Sequence, residues 1–342
     1  MQRGLVWLLA PAVLSIAACG GAEDSSDMPA GNCAVEAALD RPPRIVSTVA
    51  PITSIVGQIV GESGATVTGL VPEGTNSHTF EPPPSAASVL SDADIVFMNG
   101  LILEEPTKDL AAANLQDRAT LCELGAEAIT EEEWIFDFSF PESGGKPNPH
   151  LWTNPPDALR YGEVVLNVLV AADPANADAY RANFETFAEE VESLDAAMKS
   201  ATETLDPDER KLLTYHDAYA YFARHYGWTV VGAIQPSSFE EPTPRDVAEL
   251  IDQVKSENVK AIFGSEVFPS PVLEEIGRET GVVYVDVLRD DDLPGAPGDP
   301  EHSWLGLMRF NFITMVTALG GDPSALEQVP LGEAPDFAVY PQ

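Results

Sequence analysis

The chain holds five histidines, and three of them stand in segments that read as site-building loops. His78 lies in NSHTFEPPPS, His150 in NPHLWTNPPD and His216 in LLTYHDAYAYF. Each follows a strand end or a proline-rich turn. A run of carboxylates, Asp290-Asp291-Asp292, follows the strand-like VVYVDVL. Three imidazoles and one carboxylate enclose a zinc-sized cation and leave no coordination position over. The chemistry on offer is capture of a metal ion. The remaining candidates read more plainly. His225 sits beside Arg224 on a helix and is expected at the surface. His302, after Glu301, is expected to cap a local turn. Glu81 and Asp217 are the carboxylates placed to orient a liganding histidine through its second ring nitrogen.

Elements able to position these loops alternate along the chain. RIVSTVAPI opens with a strand, TSIVGQIVG continues as an amphipathic helix, and ATVTGLVP is a second strand leading to His78. PSAASVLSDA reads as a helix and DIVFMNG as a buried strand. Glu131 to Pro149 reads as a long irregular loop. Tyr180, Phe184, Phe187, Val191, Leu194 and Met198 repeat at spacings of four and three, which puts them on one helical stripe. After that helix, KLLTYH, WTVVGAI, VKAIFGSE and VVYVDVL read as strands separated by helices. One of these helices has Thr243 at its N-cap and Pro244 at its first position. Strands alternating with helices imply parallel sheets covered on both faces, with ligands beyond the carboxyl ends of the strands. The fold class is α/β: two parallel-sheet lobes joined by one long helix. The expected divisions are residues 41–175, the linking helix 176–205, and residues 206–342.

The N-terminus reads as an export signal over residues 1–18: Arg3, then an apolar stretch from Leu5 to Ala18 too short to span a bilayer. Residues 19–40 read as a tether, because GGAEDSSDMPAG is small, polar and acidic and buries little. Cys33 and Cys122 are an even pair in an exported chain. They are either a disulfide pinning the N-terminal segment to the first lobe or two separate buried thiols. The balance of 18 basic and 55 acidic residues, a net charge of −37, argues against nucleic acid and anionic membrane as partners.

The string IAAC, from Ile16 to Cys19, resembles a bacterial lipobox. That resemblance implies cleavage before Cys19 and a lipid on its sulfur, which anchors the protein to the bilayer. From about Arg44 to Gly321 the chain resembles the zinc- and manganese-binding solute receptors of bacterial ABC importers. The resemblance is carried by HTFEPPP, PNPHLWTNP, HDAYAYF and EEPTPRDVAELIDQVKSENVKAIFGSE, in the family's order. It implies a metal in the cleft between the lobes, held by His78 and His150 from the first and His216 from the second. The fourth ligand is a carboxylate after the last strand of the second lobe, Asp290 or Asp291, with Asp286 the alternative if the alignment shifts. The long loop has Glu131, Glu132, Glu133 and Asp137 where zinc receptors often carry histidines. His216 stands where manganese receptors often carry a carboxylate. Imidazole suits zinc and carboxylate oxygen suits manganese, so three histidines favour Zn2+, with Mn2+ the alternative.

The expected function is that of an extracytoplasmic, membrane-anchored receptor, monomeric and not an enzyme, delivering zinc to an ABC permease. No GxxxxGK[ST] string occurs, so the ATPase must be a partner. Two other classes compete. A zinc hydrolase needs an open metal position and a base such as Glu81. A surface adhesin has no feature of its own in the sequence.

Overall fold

The computed structural model describes residues 33–233, 243–265, 271–332 and 337–341. The expected export signal, Cys19, most of the tether, Glu240 to Pro242 and Glu266 lie outside the described residues. Strands β1 (Arg44–Ser47), β2 (Thr66–Gly69), β3 (Ile95–Met98) and β4 (Thr120–Glu123) belong to the first sheet. Strands β5 (Lys211–Thr214), β6 (Thr229–Ala233), β7 (Ala261–Ser265) and β8 (Val283–Leu288) form the second. A short β9 (Ala338–Val339) joins the first sheet at its edge. The strand orders are β4-β3-β1-β2-β9 and β6-β5-β7-β8, and every pairing is parallel. The chain therefore folds as two parallel-sheet lobes. Strand order reverses beside β1 in one sheet and beside β5 in the other, the positions where crevices open in such sheets.

Between the lobes runs the helix Ala177–Glu203, of 27 residues. At 1.5 Å per residue it spans about 40 Å. Tyr180, Phe187, Val191, Leu194 and Met198 of the predicted stripe are buried, and Phe184 packs half-buried against the same core. The stripe works because alternating spacings of three and four keep successive side chains on one face.

Two elements differ from expectation. The helix Ala50–Val60 is not amphipathic in use: all eleven residues are buried, including Thr53, Ser54 and Gln58. It lies beneath the linking helix, the helix Pro155–Ala172 and the helix Trp304–Leu319. A helix covered on every side has no face left for water. Ser54 is satisfied there by accepting from the backbone N–H of Trp304 at 2.9 Å. The second difference is the tail. The expected second lobe runs to residue 342, whereas β9 pairs with β2, so the chain ends on the first sheet.

Cys33 and Cys122 are joined as a disulfide across 89 positions of sequence. Cys122 lies in β4, an edge strand, so the bond fastens the start of the described chain to the flank of the first sheet. Among the described residues no helix is long and apolar enough to cross a membrane.

Candidate metal centre

His78 and His216 sit on loops that follow strands, and His150 is carried by a loop that packs beside a strand end. His78 follows β2, and its backbone N–H donates to Asn76 Oδ1 at 2.8 Å, which folds the loop back on itself. His150 ends the long loop. Its Pro149 carbonyl accepts from Asn99 Nδ2 at 3.0 Å, just beyond β3. His216 lies two residues past β5, and its own carbonyl accepts from Thr214 Oγ1 at 2.7 Å.

These three loops bring the rings together. His78 Nε2 lies 3.0 Å from His150 Nε2, and His216 Nε2 lies 2.8 Å from the same atom. Among the described residues this is the group of side chains able to hold a metal ion, with one nitrogen from each ring and all three within 4.8 Å of one another. His150 and His216 are buried and His78 is partly buried. Phe140 stacks on His78 with ring centres 6.2 Å apart, and Trp152 packs edge-on against His150 at 5.0 Å.

Protonation of the cluster follows from its surroundings. Burial drives the His216 pKa down to about 4. Burial, then the charge of its neighbours, holds His150 and His78 well below the usual imidazole range. At pH 7 the rings are neutral, each with one lone pair to offer. The lone pair of His150 can be assigned. Asn148 Nδ2 donates to the Asp217 carbonyl at 2.9 Å and to Asp137 Oδ2 at 3.1 Å, so its Oδ1 is the atom that faces His150. That oxygen accepts from His150 Nδ1 at 2.8 Å and from the His150 backbone N–H at 3.1 Å. Nδ1 therefore carries the proton and Nε2 is bare. The Nδ1 of His216 faces Asp290 Oδ2 at 3.5 Å, and its Nε2 lies 2.8 Å from the lone pair of His150. A cation among the three rings would take the place of a ring proton at that lone pair.

The acidic run divides its attention. Asp290 approaches the far side of His216, and Ser265 Oγ donates to its Oδ1 at 3.4 Å. Asp291 accepts from the backbone N–H of Ser77 at 3.0 Å and from Ser77 Oγ at 2.9 Å, immediately before His78. Burial pushes its carboxyl up to about 6. Asp292 accepts from the Gly74 N–H at 2.7 Å. Neither Asp290 nor Asp291 is part of the three-ring group. Asp286 is exposed on β8.

Other expectations resolve individually. His225 is exposed and bonded through Nε2 to Asp195 Oδ1 at 2.8 Å. His302, expected to cap a local turn, is buried, 3.4 Å from Glu73 Oε1 of the first lobe and edge-on to Tyr340. Glu81 is exposed. Asp217 is buried, with its carboxyl pushed up to about 8 by burial and by Asp137. Its backbone carbonyl, not its carboxylate, makes the contact with Asn148. Sequence reasoning missed Asn148, whose signal was its place two residues before a candidate ligand. It also missed Glu104. This buried carboxylate accepts from Thr48 Oγ1 at 2.7 Å and from the N–H groups of Asn99 and Gly100 at 2.9 and 3.1 Å. It thereby sets the loop that carries Asn99 to Pro149.

The family described as "ZnuA: Zinc-uptake complex component A periplasmic" matches residues 45–318. The "Manganese-binding lipoprotein MntA" of Halalkalibacterium halodurans is 28% identical over 281 residues, covering 81% of this chain and 88% of that protein. The "Iron-binding protein YfeA" of Yersinia pestis is 26% identical over 284 residues, covering 81% and 86%. Among solved structures, the Cd-bound periplasmic metal binding protein from Candidatus Liberibacter asiaticus superposes with a TM-score of 0.71. It is 27% identical and covers 81% of this chain and 99% of its own. Fold and site together define the class, a metal-binding substrate receptor of ABC importers. The chain belongs to the ZnuA family.

Proposed function

We propose that this protein captures zinc outside the cytoplasm and delivers it to the permease of an ABC importer. The observation that carries the reading is the convergence of the His78, His150 and His216 Nε2 atoms, with the bare Nε2 of His150 at 3.0 and 2.8 Å from the other two. A tetrahedral zinc with nitrogens at about 2.0–2.1 Å sets them roughly 3.3 Å apart, so a small outward movement admits the ion. Asp291 is the better fourth ligand. Asp290 lies on the Nδ1 side of His216, away from the nitrogen that faces the other rings, and is suited to orienting that ring. Asp291 is buried beside the His78 loop, where the Ser77 N–H and hydroxyl donate to its carboxylate.

Zinc is favoured over manganese by donor chemistry: three imidazoles and one carboxylate make a soft, nitrogen-rich set. The relatives named for manganese, iron and cadmium leave the choice to those donors. A hydrolase reading loses its base, because Glu81 is exposed to solvent. Lipidation of Cys19 fits relatives named as lipoproteins and places the receptor on the outer face of a membrane. Metal analysis of the isolated protein, then zinc–manganese competition by titration calorimetry, tests the reading. Zinc is expected to displace manganese, and displacement in the other direction would overturn the choice of metal.

A further inference from the structure

Asn148 makes more bonds than its place in the loop requires. The bond from the His150 N–H to Asn148 Oδ1 is an ordinary Asx turn, complete in itself. Its remaining contacts go elsewhere. Oδ1 also takes His150 Nδ1, while Nδ2 reaches the Asp217 carbonyl, the peptide next to His216 in the second lobe. Asn148 is fully buried, so each of these bonds is made without competition from water. A carbonyl accepts only from the NH2 end of the amide, so the cross-lobe contact decides which end of Asn148 meets His150.

We propose that Asn148 is a positioning residue with two separable effects. Its oxygen locks His150 in the Nδ1–H form with Nε2 bare, and its NH2 holds the His216 strap in register against the His150 strap. This rests on the metal-receptor reading for its purpose, but the arrangement itself exists without an ion. Thr153 supports the same junction: its single hydroxyl hydrogen lies between the His150 carbonyl, 2.9 Å from Oγ1, and the Ala218 carbonyl, 2.7 Å away.

The test is 15N NMR of the histidine rings in metal-free protein, with zinc release into a chelator followed by stopped flow. Wild-type His150 is expected as the Nδ1–H form. In Asn148→Ala the His150 ring becomes a mixture of forms, the His216 ring signals move, and zinc leaves about 10–100-fold faster. Asn148→Asp keeps an acceptor for His150 but loses the donor to Asp217. The Nδ1–H form is therefore kept while the His216 signals still move. Wild-type His150 found as Nε2–H overturns the proposal. So does an Ala variant unchanged in ring form or in zinc release, or an Asp variant with the same mixture as Ala. If Ala does not fold, the wild-type and Asp spectra still decide. Failure of the receptor reading looks different: His216→Ala would then bind zinc as wild type does, while the ring forms stay as stated.

Discussion

The two lobes share an architecture and differ in how deeply they bury it. In the first, β3 is buried along its whole length, and the helix Ala50–Val60 has no exposed residue. A disulfide fastens its flank, and β9 adds a strand from the far end of the chain. In the second, β7 is buried throughout and Leu212, Ala261 and Phe263 join the main core. But β8 is an edge strand with Val283 and Val287 at 54% and 42% exposure, and the other face packs a small cluster around Leu213, Leu250, Ile262 and Leu273. The first lobe supplies two of the three rings and the loop that covers them. The second supplies one ring and the acidic run. The lesson is a division of labour: a heavily packed frame holds most of the site, and the lighter lobe completes it.

The sharpest way to break that division is to remove the second lobe's only ring in the group. His216→Ala is expected to weaken zinc binding a hundredfold or more, since even partners of liganding histidines are worth about 10–100-fold. Calorimetry reads it, and an unchanged affinity would contradict both the division and the receptor site. Next in size is the clamp on the first lobe. Cys122→Ser should lower stability by about 2–5 kcal/mol, because the bond closes a long loop in the unfolded chain. Urea denaturation with and without reductant measures this.

Core truncation compares the lobes directly. Ile55, fully buried within the covered helix, should cost about 3–4 kcal/mol as Ile55→Ala, and Leu250→Ala, 8% exposed, about 2 kcal/mol. Equal losses would contradict the difference in packing.

The smallest effect tests the joint between the lobes. Asp195 on the linking helix is bonded to His225, Lys199 and Tyr226, and those bonds outweigh burial and lower its carboxyl to about 2. A carboxylate lowered on folding stabilises above its unfolded pKa, and that stability is lost as pH falls from about 4 through about 2. Asp195→Asn is therefore expected to cost about 1 kcal/mol at pH 7 and almost nothing at pH 2, read from paired denaturation curves.

Much of this was legible in the chain because period and punctuation report local geometry. The stripe from Tyr180 to Met198 and the cap at Thr243, which accepts from the Asp246 N–H, follow from neighbours a few residues away. The three histidines were legible because each stands after a strand end or a proline-rich turn, in a segment that resembles the receptor family. What was hidden depends on contacts distant in sequence. Thr53, Ser54 and Gln58 look like a polar face until three other helices close over them. His302 looks like a loop residue until Glu73 and Tyr340 enclose it. Three adjacent aspartates point to different partners, and spacing alone does not say which faces the ion.

X-ray absorption at the zinc edge of the loaded protein tests the central claim most directly. Three imidazole nitrogens and one carboxylate oxygen at about 2.0–2.1 Å are the expected shell. A shell with fewer than three imidazoles would contradict the convergence of His78, His150 and His216 on one ion.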